Sequence, residues 1–378
     1  MRVARYLVGR VIRGVLTLLT MIALTFALYF AIEKQPPMQF FFPSVGRGVP
    51  PTKQQVQLVR HLFYLDRSKL GLFVDYVSHL ARGDFGHTLV LDAQPGHPAR
   101  VLAGGGVGRP YLGDAGATLS ILVGGAVIVL LLSLPLGAIS GARVGAWRDR
   151  IISFFALVLL CTHPMMLGLI LRSAGGRVNW LPTTGYCPLI GHSAPPSFTG
   201  FTGIALPSNG QPVHSCGGPA QWALHLLLPW LTFALLFLAL YTRMVRASVA
   251  ETIEEEFVRT ARAKGASQAR TLTHHVLPFA GLRVLTMVGM EIGTAIGVCI
   301  YLESVFGIPG LGSAAVQTLA GTQPFLILPV ALAIVVLLTL IVVVGNLVVD
   351  FLYAFLDPRV GIQRGSQRRT KALVGGVF

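Results

Sequence analysis

Apolar residues in this chain fall in long unbroken runs and not in short periodic patches. Gly14–Ile32 has 19 residues without a charge, Gly116–Ala142 has 27 and Ile151–Leu171 has 21. A fourth run covers Trp222–Tyr241, Val284–Leu302 is apolar except for Glu291, and Phe325–Val349 adds 25 more residues. A bilayer core about 30 Å thick takes roughly 20 helical residues to cross. A spanning backbone must satisfy its own polar groups, and none of these runs alternates as a barrel strand would, so each predicts a helix. The pattern therefore predicts an all-α integral membrane protein with six transmembrane helices. His163-Pro164, inside the third run, predicts a kink.

Composition agrees. Of 378 residues, 53% are hydrophobic and 12% charged, with a mean hydropathy of +0.68; a soluble domain carries about 25% charged residues. The net charge of +15 could point to nucleic acid, but the basic residues flank the apolar runs and are sorted by side. With the N-terminus inside, segments 1–13, 143–150, 243–283 and 351–378 hold 19 of the 30 Lys and Arg. Nine of the others lie in the long segment 33–113, and long translocated loops count little. Both termini are thus placed in the cytoplasm. Tyr29-Phe30-Ala31-Ile32-Glu33 lacks a small-x-small cleavage site, so the first run reads as an anchor and not a signal peptide.

This divides the chain into four parts. Residues 1–32 are the N-terminus and first helix. Residues 33–113 are an extracytoplasmic segment with weak helical spacing at Gln54–Leu65 and Leu72–Leu80. Residues 114–362 are the transmembrane core (helices 2–6), including an extracytoplasmic loop 173–220 and a cytoplasmic loop 243–283. Residues 363–378 are a basic cytoplasmic tail near anionic headgroups.

The loop 243–283 carries the most distinctive chemistry. Ile253, Phe257 and Ala261 recur at i, i+4 and i+8 and predict one apolar stripe. Glu251, Glu254, Glu255 and Glu256 crowd the start, while Arg259, Arg262 and Lys264 crowd the end, which complements a helix dipole. Gly265 stands where a helix would stop, and Leu277-Pro278 marks a bend. Two readings stand for such a helix at the membrane surface: an interfacial helix on lipid headgroups, or a handle gripped by a soluble partner. Four glutamates facing anionic lipid weigh against the first.

Other residues leave alternatives open. Gly289, Gly293 and Gly297 repeat every four positions and suit close helix packing, against a partner subunit or a neighbouring helix, or the lining of a pathway. Glu291 lies among them; an ionisable residue within a membrane helix is a functional candidate, facing a pathway or paired to a basic group. Glu303 and Asp350, at helix ends, suit caps or ion pairs. Cys161 and Cys299 lie in predicted helices. Cys187 and Cys216 share the second outer loop, where a disulfide, two free thiols, or zinc with His192 and His214 are all conceivable; the C-x4-H and H-x-C spacings fit no common zinc pattern. No metal site and no catalytic residue is assigned. The chain carries no G-x4-G-K-[ST] phosphate loop, no H-E-x-x-H and no G-x-S-x-G, so the energy for any transport comes from a partner or an ion gradient.

At this point the loop resembles the E-A-A-x3-G-x9-I-x-L-P coupling motif of ABC importer permeases. Gly265 matches its glycine, Ala261 one alanine, and Leu277 and Pro278 its end. Arg259 and Thr260 depart from the general form, but Arg259–Gly265 as a whole looks like the version found in the dipeptide/oligopeptide (and nickel) branch, first-permease type. Leu302-Glu303-Ser304-Val305-Phe306-Gly307-Ile308-Pro309-Gly310-Leu311-Gly312 resembles that branch's T-E-x-V-F-x-x-P-G-L-G segment. Asn346–Tyr353 with Asp357-Pro358-Arg359 resembles its closing segment, and Leu65-Asp66 with Gly83-Asp84-Phe85-Gly86 its outer one. The resemblance spans roughly residues 1–362. Gln35-Pro36-Pro37, His87 and Glu291 depart from it.

The resemblance implies a type I ABC importer permease fold and a non-catalytic transport subunit of the bacterial cytoplasmic membrane. The cargo would be peptides, or alternatively nickel, glutathione or haem; a stand-alone secondary transporter is the less favoured alternative. It implies as partners a second permease (a heterodimer), two ATPase subunits and an extracytoplasmic substrate-binding protein, besides membrane lipid and without nucleic acid. ATP and Mg belong to the ATPases, with no cofactor in this chain. The segment Glu256, Phe257, Arg259, Thr260, Ala261, Arg262, Lys264, Gly265, Leu277 and Pro278 would contact those ATPases.

Overall fold

The structure is a computed structural model. It describes residues 2–32, 53, 57, 68–82, 87–92, 100–106, 108–178, 180–187, 189, 218–319 and 327–356. Cys216, His192, His214, Leu65-Asp66, Gly83–Gly86, Asp357–Arg359 and the tail 363–378 lie outside the described residues.

The apolar runs form helices, in places longer than expected. They are α1 (Arg2–Ile32), α3 (Gly108–Gly141), α6 (Pro219–Ile253), α8 (Gln268–Phe306) and α10 (Ile327–Leu356), each containing a stretch long and apolar enough to cross a membrane. The third run is broken. α4 (Trp147–Leu160) and α5 (Pro164–Gly175) meet at 103°. At 14 and 12 residues neither spans alone; together they make a bent sixth segment. The break has a local cause. Pro164 has no N–H to give, and His163 caps the new helix, its Nδ1 accepting from the Met165 amide at 3.3 Å. The expected kink is therefore a bend of more than a right angle.

α6 exceeds its apolar run by more than three turns. Val245, Ser248, Val249 and Thr252 continue a buried face past Tyr241, while Arg243, Arg246 and Glu251 on other faces hide that continuity from a count of apolar residues. Much of the expected loop 243–283 is thus rigid helix.

The segment after α1 holds α2 (Lys69–Ala81), close to the expected Leu72–Leu80, with Ser68 capping the Gly71 amide at 3.2 Å. It also holds an antiparallel hairpin, β1 (His87–Asp92) with β2 (Arg100–Gly106), which the helical reading did not anticipate. A short helix α9 (Leu311–Leu319) and an eight-residue helix α7 (Glu256–Ala263) complete the described elements.

The chain divides into two compact units, to which α1, α3 and α10 contribute on both sides of the division. The first comprises Met1–Val15, Thr118–Ile308 and Ile341–Phe378. In it α6 is central, packed by α4, α5 and α8. α3 approaches α6 so closely that a Cβ on Gly137 would lie 2.5 Å from Val245 Cβ, and one on Gly141 2.6 Å from the Arg246 carbonyl oxygen. Backbones can approach like this only where small residues recur a turn apart. α1 is tied to α10 by an Arg10–Asp350 ion pair of 3.0 Å and by Gly14 against Val343. The second unit comprises Leu16–Ala117 and Pro309–Leu340. Ile22, Ala117, Leu311 and Leu332 are buried in it, and Phe26 meets Phe73 edge to face at 5.5 Å.

Candidate functional site

α6 ends at Ile253, and the chain turns through Glu254 and Glu255 before α7 begins. This turn corrects the expected stripe. Ile253 belongs to the preceding helix, and α7 restarts with its own phase. Val258, not Phe257, is the buried anchor, at 0% exposure. Phe257 stays partly exposed and lays its ring against Phe279, centroids 4.9 Å apart. Glu256, Arg259, Thr260, Arg262 and Lys264 are exposed and Ala261 half-buried. Glu256 in the first turn and Arg262 in the last complement the helix dipole.

The end of α7 follows from Gly265, whose φ of +84° is left-handed. Its amide donates to the Arg262 carbonyl at 2.9 Å and the Ala266 amide to the Ala261 carbonyl at 3.2 Å; this pair of bonds is a Schellman cap. Ser267 then caps α8 by accepting from the Arg270 amide. The chain stays helical through Leu277-Pro278. α8 continues through a π turn at Leu272–Val276, closed by the Leu277 amide on the Leu272 carbonyl. The extra residue in that turn relieves the carbonyl that the Pro278 ring would crowd.

A second cluster braces this segment. Asp149 is 3% exposed and accepts from five donors. Arg246 grips it with Nε at 2.5 Å and Nη2 at 2.9 Å; Ser140 Oγ (2.5 Å), the Gly145 amide (2.7 Å) and Ser153 Oγ (3.3 Å) complete its shell. One carboxylate thus joins the end of α3, the turn after it, the start of α4 and α6, ten residues before α7. Arg143 in the same turn donates to Gln268 Oε1 at 3.4 Å, and Arg283 pairs with Glu251. Sequence reasoning missed this cluster. The available signal was that Asp149 is the only acidic residue between Asp114 and Glu251, and a charge so isolated among apolar helices is buried only when paired.

The small-residue trio of α8 separates by role. A Cβ on Gly289 would lie 3.2 Å from Val349 Cγ1 of α10, whereas Gly293 and Gly297 have nothing within 4 Å. Closer glycine packing lies in other helices, at Gly137 and Gly141 of α3, Gly14 of α1 and Gly175 of α5. Glu291 is partly exposed beside Gly293 and, among the described residues, makes no ion pair or hydrogen bond; Arg283 is taken by Glu251. Tyr241 of α6 lies within electrostatic reach of Glu291. Glu303 is fully buried and accepts from Thr118 Oγ1 at 2.6 Å, and Asp350 has the ion pair already noted. Cys187 is disulfide-bonded and buried, its Sγ 3.7 Å from His225 Nε2. Cys161 and Cys299 are free thiols; Cys161 is exposed at the end of α4, not inside a helix packing face.

A family model described as "Binding-protein-dependent transport system inner membrane component" matches residues 133–362, a stretch that contains both clusters and Glu291. Over 324 residues the chain is 30% identical to the oligopeptide transport system permease protein OppB of Mycobacterium tuberculosis, covering 84% of this chain and 88% of that protein. It is 28% identical over 323 residues to a probable peptide ABC transporter permease protein, y4tP, of Sinorhizobium fredii, covering 84% and 88%. It is 26% identical over 358 residues to the oligopeptide transport system permease protein AppB of Bacillus subtilis, covering 94% and 99%.

Proposed function

This chain belongs to the family of binding-protein-dependent transport system inner membrane components, and from that premise we propose that it is the permease subunit of an ATP-driven importer of peptides. The names of its relatives, peptide and oligopeptide permeases across most of both chains, support peptide cargo over nickel, glutathione or haem. The single observation that carries the mechanical reading is α7: a charged, exposed helix held to its own chain by one buried valine and one aromatic contact and stopped by a left-handed glycine. A helix so lightly rooted gains little for the stability of its own bundle. It fits a cleft on an ATPase subunit.

In this mechanism the pathway is formed with a second permease. Two ATPases bind beneath, each receiving one such helix, and an extracytoplasmic binding protein delivers the peptide. ATP and Mg stay in the ATPases, and this chain performs no hydrolysis. Closure of the ATPases pushes α7. The Phe257–Phe279 contact passes the displacement to α8, and the Asp149–Arg246 cluster keeps α3, α4 and α6 moving as one body. The Lys and Arg bias orients both termini and α7 to the cytoplasm of a bacterial cell membrane. The disulfide at Cys187 suits an oxidising opposite side, with Cys216 as its proposed partner.

The test is reconstitution. The complex purified through this chain contains an ATPase, and vesicles holding it take up peptide only with ATP and binding protein. Peptide uptake by this chain alone refutes the proposal.

A further inference from the structure

The open face of α8 borders a carboxylate, which the exposed face of α4 lacks. α4 exposes Ile151, Phe154, Phe155 and Val158, a surface suited to lipid. Beside Glu291, α8 exposes Thr286, Met290, Gly293, Thr294 and, further along, Tyr301. A carboxylate within a membrane-crossing helix is costly against lipid. Glu291 lies at the border between this face and the side buried toward α6, where Tyr241 stands. It is the first acidic residue after Glu256. It has no hydrogen-bond donor or cation of its own among the described residues, although the bundle's other carboxylates are provided for: Asp149 by Arg246, Glu303 by Thr118 and Asp350 by Arg10.

We propose that Glu291 is a cation subsite in the transport pathway, receiving an ammonium or guanidinium group of the passing peptide. The proposal rests on the peptide-importer reading and adds a selectivity to it. A partly exposed carboxylate with no donor or cation among the described residues favours cargo that supplies the missing charge, through a charge-assisted hydrogen bond. Two sources carry that chemistry, the peptide's terminal amine and a basic side chain. Thr294, one turn further on, is exposed on the same border.

The experiment uses vesicles holding the complete transporter, normalised for assembled complex recovered by gel filtration. Initial uptake of Ala-Ala-Ala, Ala-Lys-Ala and Ala-Glu-Ala is compared for wild type, Glu291→Gln, Glu291→Asp and Glu291→Gln combined with Thr294→Glu. Glu291→Gln keeps size and shape and removes only charge. The expected result is a loss of about tenfold in subsaturating uptake, while Glu291→Asp keeps most of it and the added carboxylate at 294 restores part. A loss confined to Ala-Lys-Ala assigns the basic side chain, and an equal loss for all three assigns the terminal amine. Unchanged uptake with Glu291→Gln overturns the proposal. So does a loss as large with Glu291→Asp as with Glu291→Gln, because that pattern follows shape and not charge. A wild-type complex that imports none of the three overturns the peptide reading itself.

Discussion

Replacing Arg246 with Gln harms this protein more than replacing Asp149 with Asn, although each removes one charge from the same ion pair. Asp149's side chain is 5% exposed and Arg246's is 31%. Removing one partner of a buried pair costs about 3–5 kcal/mol because the other charge is stranded. After Asp149→Asn the stranded charge is a guanidinium with a third of its surface in reach of water. The cost falls to about 2 kcal/mol, from rehydration and lost charge-assisted bonds. After Arg246→Gln the stranded charge is a carboxylate enclosed by Ser140, Ser153 and the Gly145 amide. Those three donors compensate it only in part, and about 3 kcal/mol is lost. The double variant strands nothing, so it loses less than the sum, with a coupling of about 2 kcal/mol. The assay is thermal: purified subunit is heated in detergent and the folded fraction read by gel filtration. At about 2–4 °C per kcal/mol, Asp149→Asn lowers the midpoint by several degrees and Arg246→Gln by more. Equal losses for the two single variants, or strict additivity in the double, would refute the reasoning.

Three further outcomes follow from the geometry around α7 and α3. Val258→Asp puts an unpaired carboxylate into a fully buried position at a cost of about 3 kcal/mol, so α7 detaches; trypsin then cuts at Arg259, Arg262 and Lys264 faster than in wild type, whereas Val258→Ile leaves cleavage slow. Gly265→Val forces a β-branched residue to φ +84°, costing about 1–3 kcal/mol; peptide-stimulated ATP hydrolysis in the complex falls, while Gly265→Asn, which tolerates that conformation, keeps most of it. Gly141→Leu drives α3 off α6, because its Cβ alone would lie 2.6 Å from the Arg246 carbonyl oxygen. The isolated subunit then melts lower than one carrying Gly293→Leu, where an added Cβ meets no packing neighbour within 4 Å among the described residues.

The amino-acid sequence by itself determined the apolar segments, because crossing a bilayer depends on run length and charge alone. It also determined the interruption at His163-Pro164 and the stop of α7 at Gly265, because a missing N–H and a left-handed φ act within one turn. The charge sorting along α7 was legible for the same local reason. Only the tertiary structure decided that α6 runs to Ile253, that Val258 and not Phe257 is buried, and that the tight glycines are Gly137 and Gly141 while Gly293 and Gly297 stand open. It alone paired Asp149 with Arg246, 97 residues along the chain, and left Glu291 without a cation among the described residues. Each of these depends on which face of one helix meets which face of another. Near the ends of these helices polar and apolar residues share every turn, so periodicity cannot choose the face; the choice comes from packing between segments far apart in the chain.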